Sequence, residues 1–362
     1  MKEITFIAQF PPPIHGLSKA VDTLYHSNIS SKYILRAINL TNNKAFFKTF
    51  WRIIFSKSDL FYFTISQTKG GNLRDLLILK LLELKHAKCL IHLHGGYYRD
   101  LIDHHCGKIQ RTLNYKAICR LSGCIVLGET LRSIFKGMID ESKIFIVPNC
   151  IDEIYVPSPN SIEDKLEKLE SSSVINILYL SNFIESKGYK KVLELALMAK
   201  ANKENNLHFH FAGCFFHNED EKYFFHYIKQ NGLESYISYH GVVTGIEKKI
   251  LLQNCHIFIL LTNYPNEGQP ISILEALANG LFVITTNHAG IPDIVSNGIN
   301  GIVVDKSYIK IDDIFSRIKS VIQDVDKLKK ICYGNYEIAI NNYTEKQYIA
   351  NMDNIFKSII QK

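Results

Sequence analysis

Glu267 and Glu275 stand eight residues apart in NEGQPISILEALANG, the stretch from Asn266 to Gly280. Pro270 suits the first turn of a helix, where its missing N–H is no loss. Gly280 suits the position just past a helix end. The spacing therefore predicts that Glu267 precedes a helix and Glu275 lies within it. The N–H groups of Gln269, Ile271 and Ser272 would point out of that helix start, which attracts anions. A carboxylate on the same rim can accept hydrogen bonds from hydroxyls. Anion and hydroxyls together describe a sugar phosphate.

Two glutamates on an amphipathic helix are common, so the flanking elements carry the reading. Residues 257–261, IFILL, read as a buried strand, and 282–286, FVITT, as another. Strand, loop, helix and strand make a parallel βαβ unit, which binds ligands beyond the carboxyl ends of its strands. Glu267 falls at that end.

On these residues the run NEGQPISILEALANGLFVITTNHAGIPDIV resembles the donor-site signature of the retaining glycosyltransferases of the GT-B fold, the large group-1/family-4 type. It has the paired glutamates, the Ala-Asn-Gly after them, the Val-Ile strand and the Gly-Ile-Pro turn. The resemblance implies an α/β architecture of two Rossmann-like domains facing a central cleft. Residues 1–157 would be the acceptor-binding domain and 158–344 the donor-binding domain. A last helix, 345–362, would cross back to the first.

The resemblance also implies roles. A nucleoside diphosphate sugar, on UDP or GDP, would bind the second domain. Glu275 would meet the ribose and Glu267 the sugar hydroxyls. Gly268 and Pro270 would line the donor site, where Gln269, Ile271 and Ser272 would bring helix-start amides to the diphosphate. Lys187, before Gly188, matches the family's diphosphate lysine. The family's arginine five residues earlier is Asn182 here, so that site lacks one cation. Val242 would meet the base. His94, which ends the strand from Cys89 and precedes Gly95-Gly96, matches a histidine that contacts the transferred sugar. Gly16 and Ser18, in the loop after the first strand, and Arg99 fall on the acceptor side. For Arg99 a surface ion pair is the competing reading. After Pro148-Asn149, Cys150 stands where glycine is usual. No protein general base, metal or other cofactor is expected.

Length suits two domains in the 362-residue chain. The eight cysteines form no CxxC pair and read as reduced thiols of a cytosolic protein. MKEITFIAQF reads as a first strand rather than a secretion signal, and no apolar run reaches the ~18 residues that span a bilayer. Net charge is +7; residues 1–157 hold 21 Lys+Arg against 12 Asp+Glu, and the remainder 21 against 23. A basic first half suits an anionic surface.

The stretch KAFFKTFWRIIFSK, residues 44–57, sharpens that reading. Phe46, Phe47, Phe50, Ile53 and Ile54 follow helical spacing as a face packed on the sheet. Lys44, Lys48 and Arg52 form a basic row flanked by Trp51 and Phe55, which suits an interfacial contact. The expected setting is the inner face of the plasma membrane. The expected acceptor is a lipid-linked saccharide of bacterial surface polysaccharide assembly, O-antigen or capsule. No nucleic-acid module is present. DHHC, residues 103–106, spells a palmitoyltransferase signature without the zinc domain it needs, and reads as helical surface. Two alternatives stand: a nucleotide-sugar epimerase of the same fold, and a non-catalytic nucleotide-sugar binder, suggested by Asn182.

Overall fold

The structure, a computed structural model, describes residues 1–12, 16–41 and 46–361. Lys44 and the side chains of residues 46 and 48, all in the stretch read as a basic amphipathic helix, lie outside the described residues. The chain folds as two compact units. The first comprises Met1–Cys150, Asn266–Gln269 and Glu345–Lys362; the second comprises Ile151–Pro265 and Pro270–Thr344. The first unit thus leaves off at Cys150 rather than at residue 157, and it gains residues 266–269.

Apolar strands alternating with helices give parallel sheets. The first unit runs β1 (Lys2–Ala8), α1 (Gly16–Tyr25), β2 (Tyr33–Asn39), α2 (Phe46–Phe55), β3 (Leu60–Thr64), α3 (Lys69–Leu84), β4 (Cys89–His92), α4 (Tyr98–Asp100), α5 (Lys108–Cys119), β5 (Gly123–Val126) and β6 (Ile144–Ile146). All pair in parallel, in the order β2-β1-β3-β4-β5-β6. After β5 the chain forms a 3-10 run, Glu129–Phe135.

In α2 the faces differ from expectation. Thr49 and Ile53 are buried, whereas Phe47 is 80% exposed, with Trp51 and Phe55 also exposed. At 100° per residue, positions 47, 51 and 55 share one side and 49 and 53 the opposite one. Phe47 therefore belongs to the outward stripe, not to the face on the sheet.

The second unit runs α6 (Pro159–Ser171), β7 (Ile175–Leu180), α7 (Tyr189–Ala201), β8 (Leu207–Ala212), α8 (Asn218–Asn231), β9 (Ile237–Tyr239), α9 (Gly245–Asn254), β10 (Ile257–Leu260), α10 (Ile271–Ala278), β11 (Phe282–Thr286), β12 (Gly301–Val304), α11 (Ile311–Gln323) and α12 (Val325–Asn342). Its sheet is also parallel, ordered β12-β11-β10-β7-β8-β9. The β7–β10 adjacency marks the topological switch point, where such sheets bind ligands. Helix α8 is absent from the sequence reading because only Phe224 and Ile228 of its residues are buried, too few to print a period.

The last helix, α13 (Glu345–Gln361), packs in the first unit. Tyr348, Met352 and Phe356 repeat every fourth residue and are buried. Buried Asp353 accepts from Tyr33 Oη at 3.0 Å and pairs with Lys32 at 2.6 Å. No helix among the described residues is long and apolar enough to cross a membrane.

Candidate functional site

Loop 261–270 leaves the carboxyl end of β10 and turns into α10. Pro270 is the N-cap (φ −64°, ψ 118°) and Ile271 the first helical residue, so the proline stands one place before the turn expected for it. At the other end Gly280 takes φ +63°, as a helix stop requires. Glu275 is buried, and its Oε1 accepts from Lys248 Nζ of α9 at 2.6 Å. The same ammonium lies 4.4 Å from the centre of the Tyr155 ring.

Lys187 ends a 3-10 turn, Glu185–Lys187, after β7. Gly188 follows at φ +85°, and any Cβ there would collide with the Leu261 carbonyl. Only glycine lets the two loops approach so closely. Asn263 N donates to Ser186 O at 2.7 Å, and Lys187 Nζ sits 4.7 Å from the Tyr264 ring centre. Asn182 is exposed, and its carbonyl accepts from Tyr179 Oη at 2.9 Å. The same loop region carries two groups that spacing does not reveal. His288 Nε2 lies 2.7 Å from Tyr264 O, and Lys306 Nζ lies 3.0 Å from His288 Nδ1. They come from the loops after β11 and β12, and no local pattern links them to Lys187. Val242 is exposed after β9.

Glu267, Gly268 and Gln269 are expected with the second domain. They pack instead with the first unit, and the reason lies in their contacts. Gln269 Oε1 accepts from Asn149 N at 2.8 Å, its carbonyl accepts from Asn149 Nδ2 at 2.9 Å, and its Nε2 donates to Leu127 O at 3.3 Å. Gly268 lies against the His94 carbonyl with no room for a Cβ. Glu267 is therefore buried beside the loop of His94. His94 is half-buried, its ring centre 3.9 Å from that of His92. His92 is fully buried, with Nδ1 2.7 Å from Tyr62 Oη; burial, then His94, holds its pKa well below the usual range. Gln67, after β3, is a further neighbour that spacing does not reveal: its Oε1 accepts from Tyr97 N at 2.7 Å.

On the expected acceptor side, Gly16 opens α1 exposed, while Ser18 is fully buried. Arg99 is taken up by Asp103 at 2.5 Å and by the Lys136 carbonyl at 2.8 Å, the ion-pair reading. Burial opposes but Tyr115 and Arg99 outweigh it, and Asp103 titrates below the usual range. Among the described residues no group of three or more His, Cys, Asp or Glu could hold a metal ion.

Two parallel six-stranded sheets, each with its own crossover helices, define the GT-B fold. Residues 161–337 match the family Glycosyl transferases group 1, so the second unit carries a group 1 glycosyltransferase domain. WcaL of Salmonella typhimurium, named as a putative colanic acid biosynthesis glycosyltransferase, is 34% identical over 84 residues, 22% of this chain. That match spans about a fifth of WcaL, 21%. An uncharacterized 41.2 kDa protein in the cps region of Klebsiella pneumoniae is 23% identical over 82% of this chain and 87% of its own. Among solved structures, HepE of Anabaena in complex with UDP-glucose gives a TM-score of 0.76 at 15% identity, covering 99% of this chain and 100% of HepE. Sucrose-phosphate synthase of Thermosynechococcus elongatus gives 0.74 at 12%, covering both chains fully, 100% each.

Proposed function

We propose that the protein is a retaining glycosyltransferase. It moves a sugar from UDP or GDP to a lipid-linked saccharide in bacterial surface polysaccharide assembly. The observation that carries this reading is the placement of Lys187, on the turn after β7, against the loop that leads into α10, at the switch point of the second sheet. A cation beside helix-start amides suits a glycosyl diphosphate. HepE, of the same fold, is solved with UDP-glucose, which supports the donor class.

In this reading Lys187 and the amides of Ile271 and Ser272 stabilise charge as the bond to phosphate breaks. Glu267 and His94 hold the sugar, Glu275 the ribose, and Val242 borders the base. The acceptor hydroxyl attacks from the side the leaving group vacates, and the departing phosphate oxygen takes its proton. No metal is needed for that step.

The acceptor reading rests on α2. Trp51 and Phe55 stack at 5.8 Å and 13°, and Phe47 extends their stripe. Both rings line a pocket of about 760 Å³ together with Arg52, Lys57 and Arg36, the last paired with Glu3. Apolar rings beside cations suit an anionic membrane face, here the inner leaflet. WcaL and the cps-region protein support the polysaccharide setting by their names alone.

The test is a donor panel on the whole chain, scoring thermal stabilisation by UDP, GDP and their sugars, followed by transfer assays. Lys187→Ala and Glu267→Ala should each lower transfer about 100-fold or more. Unchanged rates in both would remove the proposed site, and product formed without acceptor would indicate an epimerase.

A further inference from the structure

We propose that Lys248 is a positioning residue for the donor: with Glu275 it forms one unit that meets the ribose diol. The proposal rests on the function given above and adds a residue that reading did not use.

Lys248 lies in the first turn of α9, and Glu275 lies one turn into α10. Those helices leave the carboxyl ends of β9 and β10, the edge at which parallel sheets bind ligands. The pair is close, 2.6 Å, and largely buried, with side-chain exposures of 18% for Lys248 and 4% for Glu275. The Lys248 side chain is the more exposed member. A ligand that meets Glu275 therefore meets Lys248 too. An ammonium donates and a carboxylate accepts, and a cis-diol can answer both at once.

The surroundings hold the pair in place. The Tyr155 ring covers the ammonium at 4.4 Å. Its hydroxyl accepts from Gly245 N, the first residue of α9, at 3.1 Å. Its carbonyl accepts from Asn279 Nδ2, just past α10, at 2.9 Å. One tyrosine thus fixes the start of one helix and the end of the other. Lys165 Nζ ties the far ends of both, donating to Asn279 O at 2.7 Å and Leu252 O at 3.3 Å. A cation suits helix carboxyl termini, and burial brings this one down to about 8. A group that must hold ligand hydroxyls needs such fixed geometry.

Removing one member of a buried ion pair also destabilises a fold, so the test must separate the two effects. Binding of UDP and GDP, and of their 2′,3′-dideoxy forms, is measured by calorimetry on the full-length wild type, Lys248→Gln, Lys248→Arg and Glu275→Gln, with Tm recorded for each. In the wild type the dideoxy form should bind about 10- to 100-fold more weakly than the ribonucleotide. Lys248→Gln should lose about that factor for the ribonucleotide and nothing more for the dideoxy form. Lys248→Arg should restore most of it, and in transfer assays the donor KM should move more than kcat. Equal losses for both nucleotide forms would make the pair structural and overturn the assignment alone. A wild type that binds neither nucleotide overturns the functional reading and the assignment with it. Should Lys248→Gln fail to fold, Tyr155→Phe serves the same comparison, since it loosens α9 without breaking the ion pair.

Discussion

The α-carbon of Gly268 lies against the carbonyl oxygen of His94 so closely that no side chain fits between them. This approach seats the segment of Glu267 beside the histidine. Gly268→Ala must push that segment away, because the obstructing atom is backbone. Transfer should fall about 100-fold, since small misplacements of reacting groups have that scale of effect. Normal transfer by a folded Gly268→Ala protein would show that the close approach is dispensable.

Under His94, the neutral His92 ring is fixed by Tyr62 Oη at 2.7 Å. His92→Phe keeps ring volume but takes away that partner of a buried hydroxyl. Stability should drop by about 1–3 kcal/mol, read from urea unfolding midpoints. An unchanged midpoint would mean the hydroxyl finds another partner without cost.

Four histidines make the second unit acid-sensitive. His210 Nδ1 lies 2.9 Å from His240 Nε2, His210 Nε2 lies 3.1 Å from Asn176 Oδ1, and His208 Nε2 lies 2.8 Å from Ser238 Oγ. Burial, then neighbouring His208, His240 and His256, pushes His210 down to about 4. Burial, then Lys165, does the same to His256, also to about 4. His208 and His240 are lowered too, burial first. Unfolded imidazoles titrate near 6.5, so below that pH the unfolded chain binds more protons than the folded one. Stability is then full above about pH 6.5 and falls as pH drops toward 4. Tm against pH should show this slope, and His210→Gln should flatten it. A Tm independent of pH across that window would contradict the burial of these rings.

The stripe of α2 yields a binding prediction. Phe47→Ser, Trp51→Ser and Phe55→Ser combined should abolish co-sedimentation with anionic vesicles at low salt. Tm should hold, because all three rings are exposed, and transfer to a water-soluble acceptor should persist. Vesicle binding that survives the triple change would move the membrane contact elsewhere on the molecule.

Much of the architecture is legible in the chain because its signals are local. Alternating apolar runs and amphipathic stretches announce parallel sheets, and α10 follows from Pro270 and Gly280. Lys187-Gly188 is legible as a turn next to a strand. Phe47 falls on the wrong face in the sequence reading because apolar residues crowd one short helix, and periodicity alone does not choose between two faces. Arg99 has two readings, and its ion pair with Asp103 comes from four residues away.

The sequence by itself therefore determined most of the alternation of strands and helices and the helix between Pro270 and Gly280. Each depends on neighbours within a few residues, where backbone geometry and side-chain period act directly. Tertiary structure alone decided that Gln269 would bond Asn149, 120 positions away, and that Lys248 would meet Glu275, 27 positions away. Crossover connections and the packing of helices on a twisted sheet bring such groups together, and no local pattern encodes which distant partner arrives.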